Sequence, residues 1–152
     1  MKQIPLNHGK FAIVDDEDFE RLSKFKWRLS HNGYAIRTMP RTERKRIQRM
    51  HRVVLQTPDG LFTDHINCNK LDNRKANLRF CNSSQNKMNI GKKRNNHTGH
   101  KGVVFHKASG KYMARIRLNS KDNYLGLFKS ALAAGNAYAA AAKKLHGEFS
   151  RT

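Results

Sequence analysis

The chain has 152 residues, of which 38% are hydrophobic, enough for one modest core or two small ones. It carries 31 Lys and Arg against 11 Asp and Glu, a net charge of +20, which points to a polyanion, nucleic acid above all, as partner. No apolar run approaches the roughly 20 residues a bilayer span needs, and MKQIPLNHGK has no signal-peptide apolar region. The expectation is a cytoplasmic protein without a membrane or small-molecule substrate.

The charge is even rather than confined to a tail. Residues 1–92 hold 19 basic and 9 acidic residues, and residues 93–152 hold 12 and 2, so each part contributes +10. A soluble basic protein of the ribosomal or histone-like kind fits this balance as well as an enzyme does. Cys68 and Cys81 form no CxxC pair, so no zinc site is expected, and two thiols in a basic chain fit a reducing compartment.

In chain order, Phe11–Val14, Trp27–Leu29 and Tyr34–Ile36 read as short strands separated by turn signals such as Asn32-Gly33. Asp15–Asp18 followed by Phe19, Leu22 and Phe25 reads as a short helix with carboxylates at its positive end. Nothing in this block suggests chemistry. The run RTERKRIQRMHR at 41–52 reads as a loop or helix face, with Arg44, Lys45, Arg46, Arg49 and Arg52 as phosphate contacts.

The segment DHINCNKLDNRKANLRFCNSSQNKMN, residues 64–89, is dense in polar side chains. Asp64 and His65 follow Leu61-Phe62 and fall at a strand end; Leu78–Cys81 reads as a second strand. Asn82 through Gln85 has the spacing of a capping box, so a helix begins there and carries Asn86. Phosphodiester hydrolysis needs a hard cation, an activated water and a stabilised leaving oxygen. Asp64 and the Asn86 amide offer oxygen ligands suited to Mg²⁺, with Mn²⁺ second, and His65 is suited to a general base. Adjacent strand residues point to opposite faces, so the strand must bend for Asp64 and His65 to share one site. Asn67, Asn69, Asp72, Asn73 and Asn77 hold the intervening loop through side-chain-to-backbone bonds.

The strings MHR (50–52), DHIN (64–67), NKLDNR (69–74), NLR (77–79) and QNKMN (85–89) resemble the HNH endonuclease family, of ββα-metal fold, in its phage and intron-associated homing branch. The resemblance implies His65 as general base, Asp64 and Asn86 as metal ligands and Asn77 as the loop-bracing asparagine. It leaves His51 outside the metal site as a structural or phosphate-facing residue. Cys68 stands where the resemblance leads one to expect Gly. The stretch IPLxxGKxAxVDDEDFxxLSxxxW near the N-terminus is similar to the block preceding the nuclease in proteins of this type.

Residues 91–99, GKKRNNHTG, have linker composition, and Lys92, Lys93 and Arg94 are expected to track a DNA backbone. Beyond them, Lys111–Leu118 alternates strictly. Lys111, Met113, Arg115 and Arg117 share one face, and Tyr112, Ala114, Ile116 and Leu118 the other. With flanking strands at 101–107 and 123–128, and a helix from Ser130 to about Leu145 closed by Gly147, this reads as a three-stranded antiparallel sheet with one packed helix. KGV, GKYMARIR, YLGLF and AAGNAY resemble the AP2/ERF DNA-binding domain. That resemblance places Lys101, Arg117 and Tyr124 toward DNA. Arg115 and Val104 depart from the plant pattern, so the recognised site does not carry over.

The fold class is therefore α+β. Residues 1–92 hold a β-rich segment and the HNH module (core about 50–90), 93–99 a linker, and 100–152 the DNA-binding domain. The expected protein is a homing-type endonuclease, a monomer or weak dimer on double-stranded DNA. The alternative is a non-cleaving DNA-binding regulator that retains the fold.

Overall fold

A computed structural model describes residues 1–43, 46–92, 95–118 and 121–151. Contacts divide the chain into an N-terminal unit, Met1–Asn82, and a C-terminal unit, Ser83–Thr152.

The N-terminal unit begins with an antiparallel hairpin, β1 (Lys2–Pro5) on β2 (Phe11–Val14). Helix α1 (Asp16–Ser23) follows, with Asp16, Glu17 and Asp18 in its first turn, as the charge pattern requires. Strands β3 (Arg28–Leu29), β4 (Ala35–Thr38) and β5 (Ile47–Arg49) form a three-stranded sheet with β4 central. The basic run is thus not one face. It passes through β5 and ends inside helix α2 (Met50–Val54), which begins directly after that strand and carries Arg52. Arg44 and Lys45 lie outside the described residues.

Strands β6 (Phe62–His65) and β7 (Leu78–Cys81) pair antiparallel, setting Asp64 opposite Arg79 and His65 opposite Leu78. One core joins these pieces. Ile4, Ala12, Val14, Leu22, Trp27, Met50, Val54 and Leu78 pack together. Leu22 and Met50 are wholly buried, each stabilising the unit by roughly 1.5–3 kcal/mol. The Trp27 indole N–H donates to the Leu22 carbonyl at 2.8 Å, fixing α1 to the chain that leaves it.

The C-terminal unit opens with helix α3 (Ser83–Met88), directly after Asn82. Strands β8 (Val103–His106), β9 (Lys111–Leu118) and β10 (Lys121–Phe128) form an antiparallel sheet with β9 central. Helix α4 (Ala131–His146) packs on it, burying Ala134, Tyr138 and Ala142 against Ala114 and Ile116 of β9. Ser130 caps α4 by accepting the Ala133 N–H at 3.1 Å, and Gly147 ends it at φ +53°. At Gly102 (φ +71°) any Cβ would collide with the Tyr138 ring and lie 2.6 Å from the Arg115 carbonyl, so only glycine lets the chain pass there.

The division falls ahead of the 93–99 stretch read as a linker, because α3 packs within the C-terminal unit, where Lys101 Nζ donates to the Met88 carbonyl at 2.6 Å. Part of that stretch also folds on its own side chains. Asn96 Oδ1 accepts from the Thr98 N–H at 3.0 Å, Asn96 Nδ2 donates to the His100 carbonyl, and Thr98 Oγ1 donates to the Val103 carbonyl. Lys93 and Arg94 lie outside the described residues. Among the described residues no helix is long and apolar enough to cross a membrane.

Candidate active site

Asp64 and His65 end β6, 7% and 4% exposed. Their side chains take different partners. Asp64 Oδ2 accepts from Arg79 Nε (3.0 Å) and Nη2 (2.9 Å), its cross-strand neighbour. The pair is largely shielded from water, so the guanidinium neutralises a carboxylate that would otherwise be costly to bury.

His65 faces the loop between the strands, with Nε2 3.2 Å from Asn73 Oδ1. His51, 4% exposed, meets the His65 ring edge-on at 4.9 Å and 88°, and Tyr34 packs against both rings at 5.1 and 6.0 Å. His51 is thus a buried wall of the His65 site and not phosphate-facing. Burial holds the His65 pKa below the ordinary imidazole value, against the Asn73 hydrogen bond and the Asp64 and Asp72 charges, which push it back up. His51 falls further, to about 3, chiefly through burial and then through His65, Arg49 and Arg52. Burial also raises the Tyr34 hydroxyl, and raises the Cys81 thiol to about 11, with the Asp64 charge adding in both cases.

The loop between β6 and β7 is built from its own amides. Asn77 Oδ1 accepts the Asn67 N–H at 3.0 Å, and Asn77 Nδ2 donates to the Asp72 carbonyl at 2.8 Å. Asn67 Oδ1 accepts the Asn69 N–H, and Asn69 Oδ1 the Leu71 N–H. The Asp72 carboxylate receives Asn67 Nδ2 and two Arg74 nitrogens, and the Arg74 bonds hold its pKa down. Cys68 sits at φ +61°, the left-handed backbone where glycine was expected.

The loop is gripped from outside by the N-terminal block. Ile13 N–H donates to the Leu71 carbonyl and the Ile13 carbonyl accepts the Asn73 N–H, both at 2.8 Å. Asp15, preceding α1, accepts the Lys75 N–H at 2.7 Å with its carboxylate instead of capping its own helix. Glu17 takes Lys75 Nζ at 2.6 Å. A block that sequence reading set aside as lacking chemistry therefore shapes the loop beside the histidine.

Residues 50–88 match the family model described as HNH endonuclease. The chain carries an HNH endonuclease domain. Over 147 residues it is 29% identical to an uncharacterized HNH endonuclease of Acanthamoeba polyphaga mimivirus, an alignment spanning 93% of this chain and 73% of that one. The chain is thereby a nuclease enzyme. No solved structure matches it.

The HNH domain spans α2, β6, β7 and α3. Asn86 lies on α3, half-buried, in the C-terminal unit. Among the described residues no group of three or more His, Cys, Asp and Glu is placed to hold a metal ion. A cation at the HNH domain would therefore draw on Asp64 together with amide and substrate oxygens, a donor set that suits a hard ion.

The basic residues divide in two. Arg46 and Arg49 are exposed, Arg49 lying 5.5 Å over the Tyr34 ring. Arg52 is turned inward, donating to the Leu61, Thr57 and Pro58 carbonyls, so it braces the turn before β6 instead of facing phosphate. Lys101 is likewise committed, to the Met88 and Arg151 carbonyls. Lys111, Arg115, Arg117 and Tyr124 are exposed, with Tyr124 directly opposite Arg115 in the β9–β10 register. Lys92 is exposed and within 3.3 Å of the Gly99 carbonyl. Sequence reading missed Asn73 and Arg79 as partners of the histidine and the aspartate. The available signal was their place in NKLDNR and NLR, next to every other residue of the motif.

Proposed function

We propose that this chain is a metal-dependent, homing-type DNA endonuclease in which His65 is the general base, and Asp64 and Asn86 are the protein ligands of a divalent cation, Mg²⁺ before Mn²⁺. The observation that carries the reading is the buried His65 in contact with Asn73 Oδ1, next to Asp64 at one strand end. A histidine kept neutral by burial is unprotonated at pH 7 and able to accept a proton. When bound, the cation supplies charge neutralisation at the scissile phosphate. His65 takes a proton from water as the water oxygen bonds to phosphorus. The bond to the 3′ oxygen breaks and that oxygen takes up a proton from solvent, leaving by family resemblance a 5′-phosphate and a 3′-hydroxyl. Asp64 is aimed by Arg79, whose Nε and Nη2 both donate to its Oδ2.

In this reading the exposed face of β9 and β10, with Lys111, Arg115, Arg117 and Tyr124, binds duplex DNA in the manner of an AP2-like sheet. Lys92 to Arg94 and the exposed Arg46 and Arg49 add phosphate contacts. One centre per chain makes the monomer a nicking enzyme. The test is relaxation of supercoiled plasmid in Mg²⁺. Wild type should nick, EDTA should stop it, and His65→Ala should lose roughly 10²–10⁴ in rate. Gel shifts without any metal-dependent nicking would refute cleavage and leave a DNA-binding protein.

A further inference from the structure

We infer that Asn73 is the positioning residue of His65, fixing the ring in the tautomer that carries hydrogen on Nε2 and its lone pair on Nδ1. The inference rests on the reading of His65 as the base and adds the group that aims it.

Asn73 is 1% exposed and among the largest fully buried side chains of the protein. An amide facing an imidazole has two orientations, and they dictate opposite tautomers. Here the choice is made by the other end of the amide. Nδ2 donates to the Leu71 carbonyl at 3.2 Å, which leaves Oδ1 facing His65 Nε2. A reversed amide would press Oδ1 of this buried side chain against the Leu71 carbonyl, two acceptors face to face, at a cost of about 1–3 kcal/mol. An oxygen opposite Nε2 requires a hydrogen there, so the neutral ring holds its lone pair on Nδ1.

The amide is itself fixed through the backbone. Asn73 N–H donates to the Ile13 carbonyl, and Ile13 N–H shares the Leu71 carbonyl with Asn73 Nδ2. The ring has little room to turn, with His51 edge-on at 4.9 Å and Tyr34 at 6.0 Å. Asn77 braces the loop through backbone groups; Asn73 touches the imidazole.

The experiment uses the full-length ¹⁵N-labelled protein without metal at neutral pH. Long-range ¹H–¹⁵N correlation reads each histidine tautomer, and His65 is assigned by the signal lost in His65→Gln. Wild type is expected to show hydrogen on Nε2. Asn73→Ala should mix the tautomers and lower kcat roughly 10²-fold, the cost of a misaimed group, with KM within about twofold. Asn73→Asp, which still presents an oxygen acceptor, should keep the Nε2–H tautomer. Hydrogen on Nδ1 in wild type overturns the inference without recourse to any variant, so a variant that fails to fold does not decide it. A tautomer and rate unchanged in Asn73→Ala would overturn it as well. If His65→Ala cuts as fast as wild type, the base reading fails by itself, and the tautomer still reports whether Asn73 holds the ring.

Discussion

Replacing Asn77 with Ala removes two hydrogen bonds and strands both partners. The Asn67 N–H loses its acceptor at 3.0 Å, and the Asp72 carbonyl loses its donor at 2.8 Å. The first group is partly buried and regains some solvation, about 1 kcal/mol lost. The second is buried and loses about 1–3 kcal/mol. A unit of this size has on the order of 4–12 kcal/mol in total, so a loss of roughly 2–4 kcal/mol removes a large share of it. Trp27 is the only tryptophan of the chain and is buried in the N-terminal core, so its fluorescence follows that unit alone. Urea titration of Asn77→Ala should lower the midpoint without changing the slope. A loss below about 0.5 kcal/mol would refute the accounting and show that the loop is held by something other than its asparagines.

Cys68→Gly should stabilise the same unit by about 0.5–1 kcal/mol, because it relieves a left-handed residue at φ +61°; a lower urea midpoint would contradict this. Gly102→Ala should destabilise the C-terminal unit by at least about 2 kcal/mol, since the added methyl meets the Tyr138 ring and the Arg115 carbonyl. Hydrogen exchange in β8 and β9 should rise, and unchanged protection would argue against that packing. His51 has a folded pKa near 3, against about 6.5 when unfolded. Between those values the unfolded chain binds the extra proton, so stability is lost as pH falls from 6.5 toward 3. By pH 5 this amounts to about 2 kcal/mol. His51→Gln should flatten the pH dependence of the Trp27 midpoint, and an equally steep curve would refute the assignment.

Much of this was legible in the chain because it is local. The alternation in Lys111–Leu118 places Ala114 and Ile116 in the core, and Ser130 and Gly147 bound α4 by capping chemistry that needs only neighbours. Asp64-His65 at a strand end follows from Leu61-Phe62 before it. What was not legible depends on pairings far apart in the chain. The Arg79–Asp64 pair is a consequence of the β6–β7 register. β1 forms because Lys2–Pro5 finds β2, and no pattern within four residues announces that. Asn73 read as one more loop amide, because its orientation is decided by Leu71 and Ile13 and not by its own neighbours in sequence. Arg52 and Lys101 read as phosphate contacts because charge is visible in sequence and the carbonyls that engage it are not.

The grip of Ile13 and Asp15 on the loop at 71–75 has a consequence for how much of this protein can be moved elsewhere. The stretch that matches the family, 50–88, holds the histidine and the aspartate. The frame that aims them comes from an earlier stretch, with Asp15 and Lys75 separated by 60 positions. A graft beginning at Met50 would carry His65 and Asp64 without the Ile13 and Asp15 partners that hold residues 71–75. The smallest portable cassette begins at the first hairpin. During synthesis the 71–75 stretch emerges some 60 positions after Asp15, so its contacts with Ile13 and Asp15 close late.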